Sequence, residues 1–298
     1  MKYLATIILF LVAYISVAQT LYSDSIFSEI KKSTYSFPTV ENEVLQFDYY
    51  MRNTPQERAP LLVYVHGGGF SGGARDSKDI VDFAVNIAKR GYAVLSVSYR
   101  LTMKDIGFGC DVTASKKIAA IDAASFDVSQ AVRYILDNEK EFFIDKNKII
   151  LAGGSAGAEA ILNLAYVYEN SLLPEDFKFA GVIAMAGALT TLDSIDNSTS
   201  IPTQLFHGTG DRLVPYNIAP HHYCDSNDAG LLMLYGSEAI ANRLHGLGKS
   251  YYLYTIQGGS HDWADLPKTE SIKEIIDFLY HDVVSVDHIR QTRRIITN

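Results

Sequence analysis

KIILAGGSAGAEA, residues 148–160, opens with Ile149, Ile150 and Leu151, an apolar and β-branched run suited to a buried parallel strand. Gly153, Ser155 and Gly157 follow as G-x-S-x-G, and residues 156–168 are rich in Ala and Leu, good helix formers. Strand, tight turn and helix in that order would set Ser155 on a strained corner with its hydroxyl exposed. A corner that sharp needs neighbours without bulk. The helix N-terminus behind it points backbone N–H groups towards developing negative charge. The same stretch also reads as a core strand followed by a helix-capping serine. The company Ser155 keeps decides between the two.

Working outward, residues 33–37 and 44–51 form an edge hairpin, and residues 61–65 a second buried strand running into His66-Gly67-Gly68-Gly69-Phe70. Residues 77–90 read as a helix, with Ile80, Phe83, Ala84, Ile87 and Ala88 at helical spacing and Gly91 as its C-cap. A strand over 92–98 ends at Tyr99-Arg100-Leu101; residues 102–124 show no clear period and read as an excursion; residues 127–136 are helical. Beyond the central stretch, strands are expected at 180–185, 203–207 and 251–256, and helices at 237–247 and 270–284. Residues 213–234 form a second excursion, and residues 290–298 a solvated basic tail. Strands alternating with helices and no linker between separate cores imply one α/β domain, residues 19–298, whose mostly parallel sheet is covered on both faces.

The composition, 48% hydrophobic and 20% charged, is that of an ordinary globular chain, and a formal charge of −8 argues against nucleic acid as the main partner. Residues 1–18 read as a secretory signal: Lys2, an apolar core over 4–15 and a small-x-small site at Ser16-Val17-Ala18. The alternative is a retained membrane anchor, although the apolar run is near the lower limit for a span. Cleavage would leave a secreted or periplasmic protein with no membrane contact. Two cysteines, Cys110 and Cys224, permit one disulfide or two free thiols. His221-His222-Tyr223-Cys224 lacks the carboxylate or cysteine spacing of a structural zinc site, so no metal is expected.

Serine chemistry needs a nucleophile, a base, a group that orients the base, and donors for an oxyanion. Ser155 follows the central strand, Asp211 follows strand 203–207, and His261 follows strand 251–256, in the chain order Ser, Asp, His. Asp193 and Asp262 are alternative orienting acids. His207, at a strand end, reads as a satisfied core histidine; His221 and His222 could touch substrate. Glu159, in the first turn of the helix after Ser155, reads as a partner of the helix dipole.

With these residues in place the chain resembles the α/β-hydrolase carboxylesterases, near the hormone-sensitive-lipase-like and bacterial feruloyl/acetyl esterase groups. His66-Gly67-Gly68-Gly69-Phe70 is similar to their HGGG motif, and Tyr99-Arg100-Leu101 and Asp127-Val128 also match their pattern. Many such esterases carry an acidic residue just before the nucleophile, where this chain has Gly154. The resemblance implies a central sheet of about eight strands. It also implies a Ser155–His261–Asp211 triad and an oxyanion hole from the N–H groups of Gly68, Gly69 and Ala156, with His66 holding the glycine loop. No cofactor is implied. The expected substrate is a small or polysaccharide-linked ester, acetyl or feruloyl esters included. An amidase or formamidase on the same triad, or a silent hydrolase-fold binding protein, are the alternatives. Sequence leaves the oligomeric state open.

Overall fold

The computed structural model describes residues 20–39, 43–168, 171–286 and 288–297. The expected signal segment, residues 1–18, lies outside the described residues. Among those described, no helix is long and apolar enough to cross a membrane.

Among the described residues twelve strands run in chain order: β1 (Ile30–Pro38), β2 (Val44–Arg52), β3 (Ala59–Val65), β4 (Ala93–Val97), β5 (Ile144–Gly154), β6 (Gly181–Met185), β7 (Ala188–Leu189), β8 (Thr203–Gly208), β9 (Ile218–Pro220), β10 (Met233–Gly236), β11 (Tyr251–Gln257) and β12 (Gln291–Thr297). The helices are α1 (Lys78–Ala88), α2 (Ala114–Asp137), α3 (Glu139–Phe142), α4 (Ala156–Tyr166), α5 (Ser237–Gly246), α6 (Pro267–Glu270) and α7 (Ile272–Phe278).

Nine strands form the main sheet, in the order β1-β2-β4-β3-β5-β6-β8-β11-β12. The β1–β2 and β2–β4 pairs are antiparallel and every later pair is parallel. Strand β3 shows why the runs were legible: all seven of its residues are buried, because helices cover both faces. Leu61, Val63 and Val65 join one core with Leu151 of β5, Val128 and Val132 of α2 and Ile161 of α4. Leu62 and Tyr64 face the other, with Ile150, Phe83 of α1 and Phe278 of α7. Asp127 of α2, itself buried, accepts the backbone N–H of Arg100 at 2.8 Å and its Nε at 2.9 Å, which ties the end of β4 to α2.

Two expectations need correction. The sheet has nine strands rather than about eight, because residues 291–297, expected as a solvated tail, pair in parallel with β11. Arg290, just before β12, pairs with Asp277 and Asp282, and Arg293 and Arg294 lie 5.5 and 5.6 Å from the ring centres of Tyr251 and Tyr254. Second, α2 starts at Ala114 inside the first expected excursion, capped by Thr113, whose Oγ1 accepts from Lys116 N. Buried Lys117 and Ser125 sit on its inner face and mask the apolar period. The second excursion carries a small sheet of its own: β9 and β10 pair antiparallel, with β7 on the far side of β10. A Cys110–Cys224 disulfide joins the two excursions across a sequence separation of 114.

Candidate active site

Because β5, β8 and β11 are parallel, their C-terminal ends lie along one edge of the sheet. Ser155 follows β5 directly, Asp211 lies three residues beyond β8, and His261 four beyond β11. Ser155 sits at φ 51°, ψ −126°, a region non-glycine residues rarely adopt. The corner is possible because nothing projects beside it. A Cβ on Gly157 would meet Val65 O at 2.2 Å, and one on Gly154 would meet Ala264 O at 2.2 Å. That second contact gives the reason an acidic residue has no room before Ser155 in this chain.

Ser155 Oγ lies 2.8 Å from His261 Nε2, and His261 Nδ1 lies 2.7 Å from Asp211 Oδ2. A carboxylate can only accept, so Nδ1 carries the imidazole proton and Nε2 is left free to accept from the serine hydroxyl. Asp211 is 1% exposed and fully engaged. Its Oδ1 accepts the N–H groups of Leu213 (2.8 Å) and Val214 (3.1 Å), and its Oδ2 also meets His207 Nε2 at 3.3 Å. Burial alone would raise the Asp211 carboxyl, but the hydrogen bonds from His207 and His261 outweigh it and hold the carboxyl well below the usual range. His207 is therefore more than a satisfied core histidine: it bonds Ser237 Oγ and Val214 O and also steadies Asp211. The alternative acids lie elsewhere. Asp193 is exposed, and exposed Asp262 accepts from Ser260 Oγ.

Opposite Ser155 the 66–73 loop turns back on itself, with Gly68 O accepting from Ser71 N and Gly72 N. Gly68 and Gly69 adopt φ 117° and 60°. Among the described residues, none of the N–H groups of Gly68, Gly69 or Ala156 is used in a turn, loop or cap bond. His66 anchors the loop: its ring stacks on Tyr99 at 4.4 Å, its Nδ1 meets Gly67 O at 2.8 Å, and its carbonyl accepts from Tyr99 Oη.

Ser155, His261, His66, Gly68, Gly69 and Ala156 line one cavity of about 510 Å³, shared with Phe108, Glu159, His221 and His222. A larger cleft of about 940 Å³ near α3 is lined by Arg133, Lys140 and Phe177 and holds none of Ser155, Asp211 or His261. Glu159 is the residue the sequence misplaces. Rather than serving the helix dipole in solvent, it is 2% exposed and faces the cavity wall, with Oε1 3.5 Å from His221 Nε2. Its position four residues after Ser155, on the same helix face, was the available signal. Burial, reinforced by the charge of Asp211, pushes the Glu159 carboxyl up to about 8 despite Lys117. Burial likewise pushes His221 down to about 2 and His222 down to about 4. Cys110 and Cys224 also lie near Asp228, but their sulfurs are bonded to each other and offer no thiolate to a metal.

Comparison with known proteins agrees with this architecture. The chain is 32% identical over 108 residues to gut esterase 1 of Caenorhabditis elegans, covering 36% of this chain and 18% of that one. It is 31% identical over 142 residues to chlorogenic acid esterase of Aspergillus niger, covering 47% and 25%. The chain thus spans a quarter or less of the length of these relatives. In fold it is similar to the propionate-bound thermophilic esterase Est2 of Thermogutta terrifontis, with a TM-score of 0.60, 18% identity and coverage of 82% of this chain and 92% of that one. A model of the BD-FAE family matches residues 47–197, just over half of the 298 residues. The chain belongs to the BD-FAE family of esterase/lipase-like α/β-hydrolases.

Proposed function

We propose that the protein is an exported serine carboxylesterase acting on small or medium carboxylic esters, without a cofactor. The observation that carries this reading is the unbroken row Ser155 Oγ, His261 Nε2, His261 Nδ1, Asp211 Oδ2, with contacts of 2.8 and 2.7 Å, opening on one cavity. Esterase names among the relatives support the ester class, and chlorogenic acid esterase supports an aromatic acid as one acyl group. Acetyl or feruloyl esters of polysaccharide fit the sequence resemblance.

In this mechanism Ser155 Oγ attacks the acyl carbonyl carbon while His261 Nε2 takes the hydroxyl proton. The N–H groups of Gly68, Gly69 and Ala156 stabilise the oxyanion. The tetrahedral intermediate collapses, the bond to the alcohol oxygen breaks, and His261 returns the proton to that oxygen. Water, losing a proton to the same Nε2, then attacks the acyl-Ser155 carbonyl; the acid leaves and the proton returns to Ser155. Asp211 keeps the imidazole proton on Nδ1 and stabilises the imidazolium.

An ester panel of varied acyl length, with and without aromatic acids, tests the reading on wild type and Ser155→Ala. Turnover by wild type and a loss on the order of 10⁶ in the folded variant are expected. Retention of more than a few per cent of activity in Ser155→Ala would remove Ser155 from the nucleophile role.

A further inference from the structure

The cavity over Ser155 holds two polar side chains that ester cleavage itself does not use. Glu159 comes from α4 and His221 from the turn at residues 221–223, and they are 2% and 1% exposed. Their nearest approach, 3.5 Å between Glu159 Oε1 and His221 Nε2, is too long for a good hydrogen bond. Glu159 Oε1 and His221 Nδ1 have no hydrogen-bond partner among the described residues. Buried polar atoms are nearly always paired, so unpaired ones call for a physical explanation, and a bound ligand that completes them is one.

The neighbours do not satisfy the pair. Lys117, fully buried on α2, directs its Nζ to Gly230 O at 3.1 Å and Cys224 Sγ at 3.8 Å, with the Phe108 ring 5.7 Å away. Asp211 is occupied by His207, His261 and two backbone N–H groups. Phe108 packs edge-on to His221 at 5.0 Å and the His222 ring lies 4.3 Å from it, while Ala156 and Val214 line the same cavity. The His221 segment is held in a strained form, with φ 55° at His222 and 53° at Tyr223. The following Cys224 fixes it to the opposite excursion. Strain maintained by a covalent tie beside a cavity is what positioning a binding group requires.

The chemistry of the pair selects its partner. Near pH 7 Glu159 is mostly protonated and His221 is neutral. Each then offers one donor and at least one acceptor. A hydroxyl, which donates and accepts at once, complements them. A charged substrate group would bring its desolvation cost into this buried wall, a cost that a hydroxyl avoids.

We propose that Glu159 and His221 form a subsite that recognises a hydroxyl group on the ester substrate, so that the protein selects hydroxylated esters over apolar esters of similar size. The inference rests on the esterase reading above. Two substrate pairs test it: nitrophenyl hydroxybutyrate against nitrophenyl butyrate places the hydroxyl on the acyl side, and glycerol monoacetate against propyl acetate places it on the alcohol side. For wild type, kcat/KM should favour the hydroxylated member of one pair by roughly tenfold. Glu159→Gln, which keeps a donor and an acceptor, should retain most of that ratio. Glu159→Leu and His221→Phe should bring it near one, chiefly through KM for the hydroxylated ester. A wild-type ratio near one in both pairs overturns the subsite, as does an unchanged ratio in the folded Leu and Phe variants. Should those variants fail to fold, the wild-type ratio still decides. Absence of turnover on all four esters overturns the esterase reading and the subsite with it, whereas equal turnover within each pair overturns the subsite alone.

Discussion

Replacing Glu159 by Gln should change how stability depends on pH. In the folded protein the Glu159 carboxyl is buried among Lys117, His221 and Asp211 and is pushed up to about 8. In the unfolded chain it returns to about 4.3. Between those values the folded state binds one proton more than the unfolded state, so stability falls as pH rises, at about 1.4 kcal/mol per pH unit. From pH 5 to pH 8 the accumulated loss is on the order of 3–4 kcal/mol, and above about pH 9 no more is lost. His221 and His222 act in the opposite sense. Held down to about 2 and about 4, they bind fewer protons folded than unfolded, so they add stability as pH rises towards about 6.5. Wild type should therefore be most stable near neutral pH. Glutamine mimics the protonated acid, so the stability of Glu159→Gln relative to wild type should rise steadily from pH 5 to pH 8. Guanidinium unfolding of both proteins at one-unit steps from pH 5 to 9 gives the difference directly, free of the common histidine contribution. A gap that stays constant within about 0.5 kcal/mol across that range would refute an elevated Glu159.

Asp211→Asn should preserve the fold but lower turnover by roughly 10⁴, since the amide no longer enforces the Nδ1–H tautomer of His261; steady-state kinetics with a good ester measures this. Cys110→Ser, Cys224→Ser and the double variant should lose equal stability. The chain-entropy model puts that loss at about 5 kcal/mol for so long a loop, and thiol titration of denatured, unreduced wild type should find no free thiol. Two titratable thiols, or additive losses, would contradict the bond between the excursions. Gly154→Asp should destabilise by at least about 2 kcal/mol in a thermal melt, because its Cβ would stand 2.2 Å from Ala264 O.

Strand β3 and the end of β5 could be read from sequence because a sheet covered on both faces demands apolar runs, and β8 and β11 carry shorter ones at Leu205-Phe206 and Tyr251–Tyr254. That Ser155, Asp211 and His261 follow strand ends was legible for the same reason, and parallel pairing does the rest by bringing those ends to one edge. What escaped was set by partners distant in sequence. Strand β12 and Arg290 before it read as a solvated tail until Asp277 and Asp282 are seen beside Arg290 and the rings of Tyr251 and Tyr254 beneath Arg293 and Arg294. The first turns of α2 hide because Lys117, a residue expected outside, is buried with its ammonium on Gly230 O, more than a hundred residues away. Glu159 reads as an ordinary first-turn acid on α4, and only the fold of residues 221–224 over it turns that carboxyl into a cavity wall.

The claim that Ser155 is an activated nucleophile is tested most directly by mass spectrometry after reaction with a fluorophosphonate, which phosphonylates serines made nucleophilic by a neighbouring base. One adduct per chain is expected, on the peptide containing Ser155, formed by wild type and absent from Ser155→Ala. Stoichiometric labelling of Ser155→Ala, or an adduct on any other residue of folded wild type, would contradict it.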